Sequence, residues 1–286
     1  MWTPFSLPEH PDDGRVVSFS TGRGSCGPGS PSLRSSVLHI CIPAYNEAQT
    51  IGVLLWRIRT VFQSYSREYE VVVYNDGSTD ATAETIEPYA KVLPLTVLGG
   101  PEHRGYAAAL DALCRNVSSR TRYPRRDAMI IMQGDFTDQP EYLPELVKRF
   151  EGGADVIVAE RPLESMQPQP ARLLRRVAPW VTRPFVSVPG IADPFGSYRL
   201  YRITVVRDLL KEAGDSQIVA TEGWAANVEM LVKAARFARR VETVPVDPRY
   251  DLRDRATRVR PLSDLVTLYR YGWSARGRQR LTHTTP

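Results

Sequence analysis

The chain has 286 residues, of which 42% are hydrophobic and 24% charged, and its formal net charge is +5. This length and composition fit one α/β domain or two small ones, and they exclude collagen, coiled coil and wholesale disorder. The three cysteines and four histidines show no zinc-ligand spacing, and the basic charge favours an anionic partner: phosphate, nucleic acid or a membrane surface.

Residues 1–36 form a predicted disordered N-terminal tail. They are rich in Pro, Gly and Ser and show no hydrophobic periodicity. They also lack a basic patch followed by an apolar run, so we expect no signal peptide. No stretch approaches the ~18 apolar residues that span a bilayer, so we expect no transmembrane helix. We therefore expect a cytoplasmic protein, with a peripheral position at the inner face of the membrane as the alternative.

Strands and helices alternate after the tail. The predicted strands are short apolar runs at 37–42, 70–74, 95–98, 128–132, 155–159 and 240–246. The predicted helices are longer and lie at 47–64, 80–89, 105–116, 142–150, 204–212 and 224–236. This alternation predicts a Rossmann-like, mostly parallel sheet flanked by helices. We assign residues 37–250 to this α/β domain and residues 251–286 to a basic, partly helical C-terminal segment.

Three polar motifs follow predicted strands, at the edge where open parallel sheets bind ligands. They are PAYNE at 43–47, NDGSTD at 75–80 and QGDFTD at 133–138. Together with the later segment Asp193–Arg202 and a helix containing Glu229, they resemble the inverting family-2 glycosyltransferases, which have the A-type α/β fold. Within that group the sequence is most similar to polyprenyl-phosphate sugar synthases such as dolichol-phosphate mannosyltransferases.

The resemblance implies a nucleotide-sugar site at these motifs. Asp76 ends a strand and can accept a hydrogen bond from a base ring N–H, while the turn after Pro43 lines the base and ribose. Gly105 lets the backbone approach the nucleotide, and Arg104 either meets a phosphate or stays in solvent. The predicted nucleotide-binding residues are Pro43, Ala44, Tyr45, Glu47, Asp76, Arg104, Gly105, Gln133 and Gly134.

The resemblance also implies Mg²⁺ or Mn²⁺, because a nucleoside diphosphate leaves as an anion and needs countercharge. Relatives carry Asp-x-Asp, whereas this sequence has Gln133, Gly134 and Asp135. Asp135 is therefore the predicted metal ligand and catalytic residue, with weaker metal affinity than a site of two aspartates. Asp138 is a spare carboxylate. In the alternative interpretation, Asp135 and Asp138 only cap the next helix.

The acceptor is predicted to be a polyprenyl phosphate. A lipid phosphate is already ionised and needs cations to hold it, whereas a sugar hydroxyl needs a general base. Residues 196–199 correspond to the family's Ser-Gly-Phe-Arg element with the first two residues exchanged. The resemblance thus implies that Arg199 is catalytic and that Ser197, Arg199 and Arg253 bind the acceptor phosphate.

Other functions remain open at this point. A soluble glycosyltransferase with a hydroxyl acceptor, such as a small glycoside or natural product, would use Asp193, Glu222 or Glu229 as base. A degenerate nucleotide-sugar binder would ignore metal and have no turnover. Both GDP-mannose and UDP-glucose fit as donor types. Basicity alone supports nucleic-acid binding, so we expect none. Segments 172–188 and 262–273 mix apolar, aromatic and arginine residues, which fits either an anionic membrane surface or ordinary packing.

Overall fold

The structure is a computed structural model. It describes residues 36–161 and 188–247 and five positions of the C-terminal segment, namely Val266, Thr267, Tyr269, Arg270 and Trp273. The predicted tail before residue 36, the arginine-rich segment before Val188 and Arg253 lie outside the described residues.

Seven described strands form one sheet. They are β1 (Leu38–Ala44), β2 (Tyr69–Asp76), β3 (Leu95–Gly100), β4 (Ala128–Ile131), β5 (Val156–Glu160), β6 (Arg199–Arg202) and β7 (Val241–Pro245). Their order across the sheet is β3-β2-β1-β4-β6-β5-β7. All neighbouring strands run parallel except β6, which is antiparallel to both β4 and β5. The predicted mostly parallel sheet is confirmed.

Helices cover both faces of this sheet. They are α1 (Ile51–Ser64), α2 (Thr82–Ile86), α3 (Tyr106–Arg120), α4 (Leu143–Glu151), α5 (Ile203–Ala213) and α6 (Gly223–Ala235). The helices α1, α2 and α4 pack on one face and α3, α5 and α6 on the other. Successive residues of β1 alternate between the two faces, as strand geometry requires: Ile40 and Ile42 lie in one core cluster and Cys41 in the other.

Two predicted helices begin or end differently in the structure. The helix expected from Glu47 begins at Ile51, after a turn in which the Glu47 carbonyl accepts hydrogen bonds from the amides of Thr50 and Ile51. The helix expected over 80–89 ends as α2 at Ile86 and continues as a 3₁₀ turn, Glu87–Lys91, that contains Pro88. Proline lacks the amide that would continue the α-helical hydrogen bonds.

Strand β6 was not predicted. Its four residues begin and end with arginine, so no apolar run marks it in the sequence. Arg202 is accommodated by the Asp155 carboxylate, whose Oδ1 lies 2.6 Å from its Nε, and by the Phe150 ring 4.2 Å from its guanidinium carbon. The consequence for the site is that Arg199 is held on a central strand.

Candidate functional site

The first two strand-end motifs form one hydrogen-bonded unit. Asn46 has a φ of 53°, in the left-handed region that Asn tolerates. Its side-chain Oδ1 accepts a 2.8 Å hydrogen bond from the Thr79 backbone amide, and its backbone amide donates to Ser78 Oγ at 3.0 Å. The Glu47 amide donates to Thr82 Oγ1 at 2.8 Å. The turn after β1 is therefore fixed against the turn after β2.

The third motif packs against the first. Thr50 Oγ1 donates a 2.8 Å hydrogen bond to the Gly134 carbonyl. A Cβ at Gly134 would lie 3.2 Å from Glu47 Cγ and 3.5 Å from the Pro43 carbonyl oxygen, so a side chain there would crowd the turn. The structure thus brings together Pro43, Ala44, Glu47 and Gly134, which the sequence assigned to one nucleotide site.

Asp76 organises the segment that precedes α3. Its buried carboxylate accepts hydrogen bonds from the amides of Arg104 at 2.7 Å and Gly105 at 3.0 Å. His103 Nδ1 lies 2.9 Å from the same carboxylate, at Oδ2. Sequence reasoning missed these three partners. Each carboxylate oxygen accepts up to two hydrogen bonds, so these three partners do not exclude a base ring N–H as a further donor. The predicted contact with the base stays a prediction.

A second carboxylate reaches the start of α3 from far along the chain. Glu222 Oε2 accepts a 3.2 Å hydrogen bond from the Ala107 amide. Gly105 has a φ of +96°, and a Cβ there would lie 2.8 Å from Glu222 Oε1. Asp76 thus binds the two amides just before α3 and Glu222 binds one amide of its first turn, so both carboxylates lie at the helix N-terminus and its partial positive charge. A phosphate near this helix would need its countercharge from Arg104 or a metal.

We expect Gly105→Ala to destabilise the protein by about 2–3 kcal/mol. A left-handed backbone costs an L-residue ~1–2 kcal/mol, and displacing the Glu222 carboxylate loses a helix cap worth ~1 kcal/mol. Gly153→Ala is the matched control, since its φ is +100° but nothing lies within 4 Å of the added Cβ. Urea denaturation of both variants checks this. Equal losses would show that Glu222 contributes nothing at this position.

Asp135 is buried in a tight loop after β4. Its Oδ1 accepts hydrogen bonds from the Thr137 amide at 3.1 Å and from Thr137 Oγ1 at 2.5 Å. Phe136, between them, has a φ of 60°. The loop therefore fixes the direction of the carboxylate before any ligand binds.

The structure gives the spare carboxylate, Asp138, partners of its own. Its Oδ1 forms an ion pair with Arg161, and their side chains are 1% and 8% exposed. Its Oδ2 accepts bonds from the Gln133 amide at 3.0 Å and Ser197 Oγ at 3.4 Å. Burial raises the pKa of the Asp138 carboxyl, an effect that the Arg161 charge opposes. Asp138 therefore joins the Asp135 loop to Arg161 after β5 and to Ser197 before β6.

The metal prediction can be compared with the carboxylates that the structure provides. Within residues 36–161 and 188–247 and the five C-terminal positions, no group of three or more His, Cys, Asp or Glu is arranged to hold a metal. Mg²⁺ commonly keeps several waters and binds through one or two carboxylates plus substrate phosphates. A single buried carboxylate at Asp135 fits an ion of that kind, bound together with a diphosphate.

Arg199 lies inside the protein, with 1% of its surface exposed. Its Nη1 donates to the Asn227 carbonyl at 2.5 Å and its Nη2 to the Pro194 carbonyl at 2.6 Å. Its Nε has no hydrogen-bond partner among the described residues. The guanidinium thus fixes the backbone before β6 and in α6, and the predicted contact with acceptor phosphate stays a prediction.

Asn227 joins α3 to the loop before β6, and sequence reasoning missed it. Its Oδ1 accepts a 2.8 Å hydrogen bond from Tyr106 Oη, and its Nδ2 donates to the Phe195 carbonyl at 3.2 Å. Burial raises the pKa of the Tyr106 hydroxyl, which therefore remains a proton donor. The available signal was that Asn227 and Glu229 are the two polar residues in the otherwise apolar stretch 224–232.

The three candidate bases differ in their surroundings. Glu229 is buried, and its carboxylate binds the amides of Ala220 and Thr221 and, at 2.8 Å, Lys233 Nζ, so it holds a loop. Asp193 is also buried and accepts a 3.2 Å bond from the Phe195 amide. Glu222 is the exposed one of the three.

Comparisons with known proteins place these residues in a family. Residues 39–210 match the model of Glycosyl transferase family 2. The chain is 31% identical over 208 residues to the bactoprenol glucosyl transferase of Shigella phage SfV, covering 70% of this chain and 64% of that protein. It is 30% identical over 175 residues to the prophage bactoprenol glucosyl transferase homolog of Escherichia coli (strain K12), covering 60% and 54%. The chain therefore matches less than two thirds of each relative's length.

A solved structure has the same fold. Glucosyl-3-phosphoglycerate synthase from Mycobacterium tuberculosis, crystallised with Mn²⁺, UDP and glucosyl-3-phosphoglycerate, superposes with a TM-score of 0.54 at 19% identity. The match covers 84% of this chain and 78% of that one. The predicted A-type glycosyltransferase fold is thereby confirmed.

Proposed function

Because the chain belongs to glycosyl transferase family 2, we propose that it transfers a hexose from a nucleotide sugar to a polyprenyl phosphate with inversion. The observation that carries the proposal is that hydrogen bonds join the three strand-end motifs: Asn46 binds the Thr79 amide, and Thr50 binds the carbonyl of Gly134, the residue before the buried Asp135. The names of the relatives, bactoprenol glucosyl transferases, support a polyprenyl acceptor and favour glucose as the sugar.

The donor would bind along the edge formed by β1, β2 and β4. The turn Pro43–Glu47 and Asp76 would hold the base and ribose, and the exposed Arg104 side chain would meet the diphosphate. Gln133 and Gly134 would line the path from the ribose to Asp135. The Asp76 and Glu222 carboxylates at the start of α3 repel a diphosphate, which supports the need for a cation.

Asp135 would hold Mg²⁺ or Mn²⁺ together with the diphosphate. When bound, the cation supplies positive charge that stabilises the departing nucleoside diphosphate. The acceptor phosphate oxygen attacks the anomeric carbon from the face opposite the diphosphate, and the bond from that carbon to the diphosphate oxygen breaks. The attacking oxygen is already ionised, so the step needs no base. Ser197, Arg199 and Arg253 are the proposed acceptor-phosphate residues.

The test is a transfer assay with both acceptor classes. Purified protein, Mn²⁺ or Mg²⁺ and labelled UDP-glucose or GDP-mannose are mixed with a short-chain polyprenyl phosphate or with a panel of glycoside hydroxyl acceptors. We expect metal-dependent label in the solvent-extractable lipid. Label only in a glycoside would replace the lipid acceptor, and donor binding without any turnover would indicate a degenerate binder.

A hydroxyl acceptor is the second candidate function, and one observation favours it. Glu222 presents an exposed carboxylate next to the proposed donor site, within 3.2 Å of the Ala107 amide. A carboxylate in that place can act as a general base towards an acceptor hydroxyl. In that case Glu222→Gln would abolish transfer, whereas a lipid-phosphate enzyme would keep its turnover.

The acceptor implies contact with a membrane, and the C-terminal segment offers a surface for it. Among the described residues, none of the helices has the combined length and apolar character that crossing a bilayer requires. Val266, Tyr269 and Trp273 are helical, 50%, 45% and 63% exposed, and spaced to share one helix face beside Arg270. Aromatic and basic residues on one face suit an anionic lipid surface. The proposed location is peripheral, at the cytoplasmic face.

We expect Trp273→Ala to weaken binding to anionic vesicles about tenfold, since burying a large apolar side chain is worth ~1.5–3 kcal/mol. Vesicle sedimentation at fixed phosphatidylglycerol content measures the effect. Trp56→Ala is the control, because Trp56 is 50% exposed on α1 and also has an arginine, Arg57, over its ring. An equal loss in both variants, or in neither, would contradict the assignment of the membrane surface.

A further inference from the structure

His103 contacts both residues that the proposed function assigns to the nucleobase. Its ring stacks on Tyr45 with ring centroids 4.0 Å apart and an interplanar angle of 23°. Its Nδ1 lies 2.9 Å from Asp76 Oδ2. Tyr45 belongs to the turn after β1, Asp76 ends β2, and His103 lies between β3 and α3. Three separate chain segments therefore meet at the imidazole.

A nucleobase would need the same two interactions. Its flat ring would stack on the Tyr45 face, as bases do on aromatic side chains in general. Its ring N–H would donate to the Asp76 carboxylate, an acceptor-only group when ionised. The imidazole is a smaller flat ring with a ring nitrogen aimed at the same oxygen. Resting on the proposed function, we propose that His103 and the donor nucleobase compete for the position between Tyr45 and Asp76, so that His103 sets donor affinity.

The backbone around His103 is fixed, whereas its side chain can leave. The amides of the next two residues, Arg104 and Gly105, are both bound to Asp76. Gly77 lies so close that an added Cβ would be 2.6 Å from the backbone of Glu102 and His103. The His103 side chain itself is 52% exposed. A rotamer change of this one side chain, which exposed residues make within nanoseconds, therefore opens the position without moving the loop.

The test compares nucleotide-sugar affinity in wild-type protein and His103→Ala by calorimetry with Mn²⁺. UDP-glucose and GDP-mannose are both titrated. We expect His103→Ala to bind the nucleotide sugar that the wild type prefers about fivefold more tightly, the factor for a competing position that is ~80% occupied. Inorganic pyrophosphate with Mn²⁺ has no base and should bind both proteins equally. Glu102→Ala, an exposed neighbour without an assigned role, should bind as the wild type does.

Each other outcome has a definite meaning. Weaker or unchanged nucleotide-sugar binding in His103→Ala would overturn the competition and leave the proposed function standing. Tighter binding of pyrophosphate by the same factor would place the effect on the diphosphate and would also overturn it. If neither nucleotide sugar bound the wild type or any variant, the proposed function would fall, and this inference with it.

Discussion

Asp135→Asn is expected to lower the rate of sugar transfer by about 10³-fold or more while leaving the fold intact. The asparagine side chain has the same shape, and its oxygen can still accept the hydrogen bond from the Thr137 backbone amide. In the wild type that amide nitrogen lies 3.1 Å from Asp135 Oδ1. It loses the negative charge that would hold a divalent cation at the departing diphosphate, a contribution of several kcal/mol to the transition state. Steady-state transfer at saturating donor, with and without EDTA, measures the loss.

Asp208→Asn is a suitable control for this variant, because Asp208 is an exposed carboxylate on α5. It should keep wild-type turnover and wild-type sensitivity to EDTA. If Asp135→Asn retained metal-dependent turnover, another group would hold the cation and the assignment of Asp135 would be wrong.

Asp138→Asn is expected to destabilise the protein by about 3–5 kcal/mol. The substitution removes the carboxylate that pairs with Arg161 inside the protein, and breaking a buried ion pair by removing one partner is costly. It also weakens the bonds that tie the Gln133 amide and Ser197 to the same loop. The midpoint of urea unfolding should fall accordingly.

An exposed ion pair gives the comparison for that loss. Glu145 and Arg149 pair on α4 at 3.2 Å with side chains 39% and 45% exposed, and Glu145→Ala should cost less than ~1 kcal/mol. The double variant Asp138→Asn with Arg161→Met should recover stability relative to Asp138→Asn alone, because the buried charge is removed. Similar losses for Asp138→Asn and Glu145→Ala would contradict the role of the buried pair.

Most of the fold was predictable because its strands are apolar runs and its helices have one apolar face. Buried runs such as Val71–Val73 are typical of parallel strands covered on both faces. Strand β6 escaped prediction since its two arginines, the buried Arg199 and the partly buried Arg202, bind partners: backbone carbonyls for Arg199 and Asp155 for Arg202. Hydrophobic periodicity carries no information about a charge whose partner is distant in sequence.

The candidate site was predictable in its motifs but not in its connections. The three motifs lie at strand ends, and the parallel sheet brings them together whatever their separation along the chain. The partners that organise them are distant: Glu222 is 115 residues from Ala107, and Asn227 is 121 residues from Tyr106. The Asp138 carboxylate was similarly interpreted as spare because its partner Arg161 belongs to another strand end. Nothing in one sequence marks such pairs.

The central claim, sugar transfer to a lipid phosphate, is tested most directly by the mass of the lipid product. Purified protein, Mn²⁺, a short-chain polyprenyl phosphate and UDP-glucose or GDP-mannose are incubated, and the solvent-extracted lipid is analysed by mass spectrometry. The account predicts a polyprenyl phosphate that has gained one hexose on its phosphate, only with metal present and not with Asp135→Ala. An unmodified lipid under conditions in which the nucleotide sugar binds the protein would contradict it.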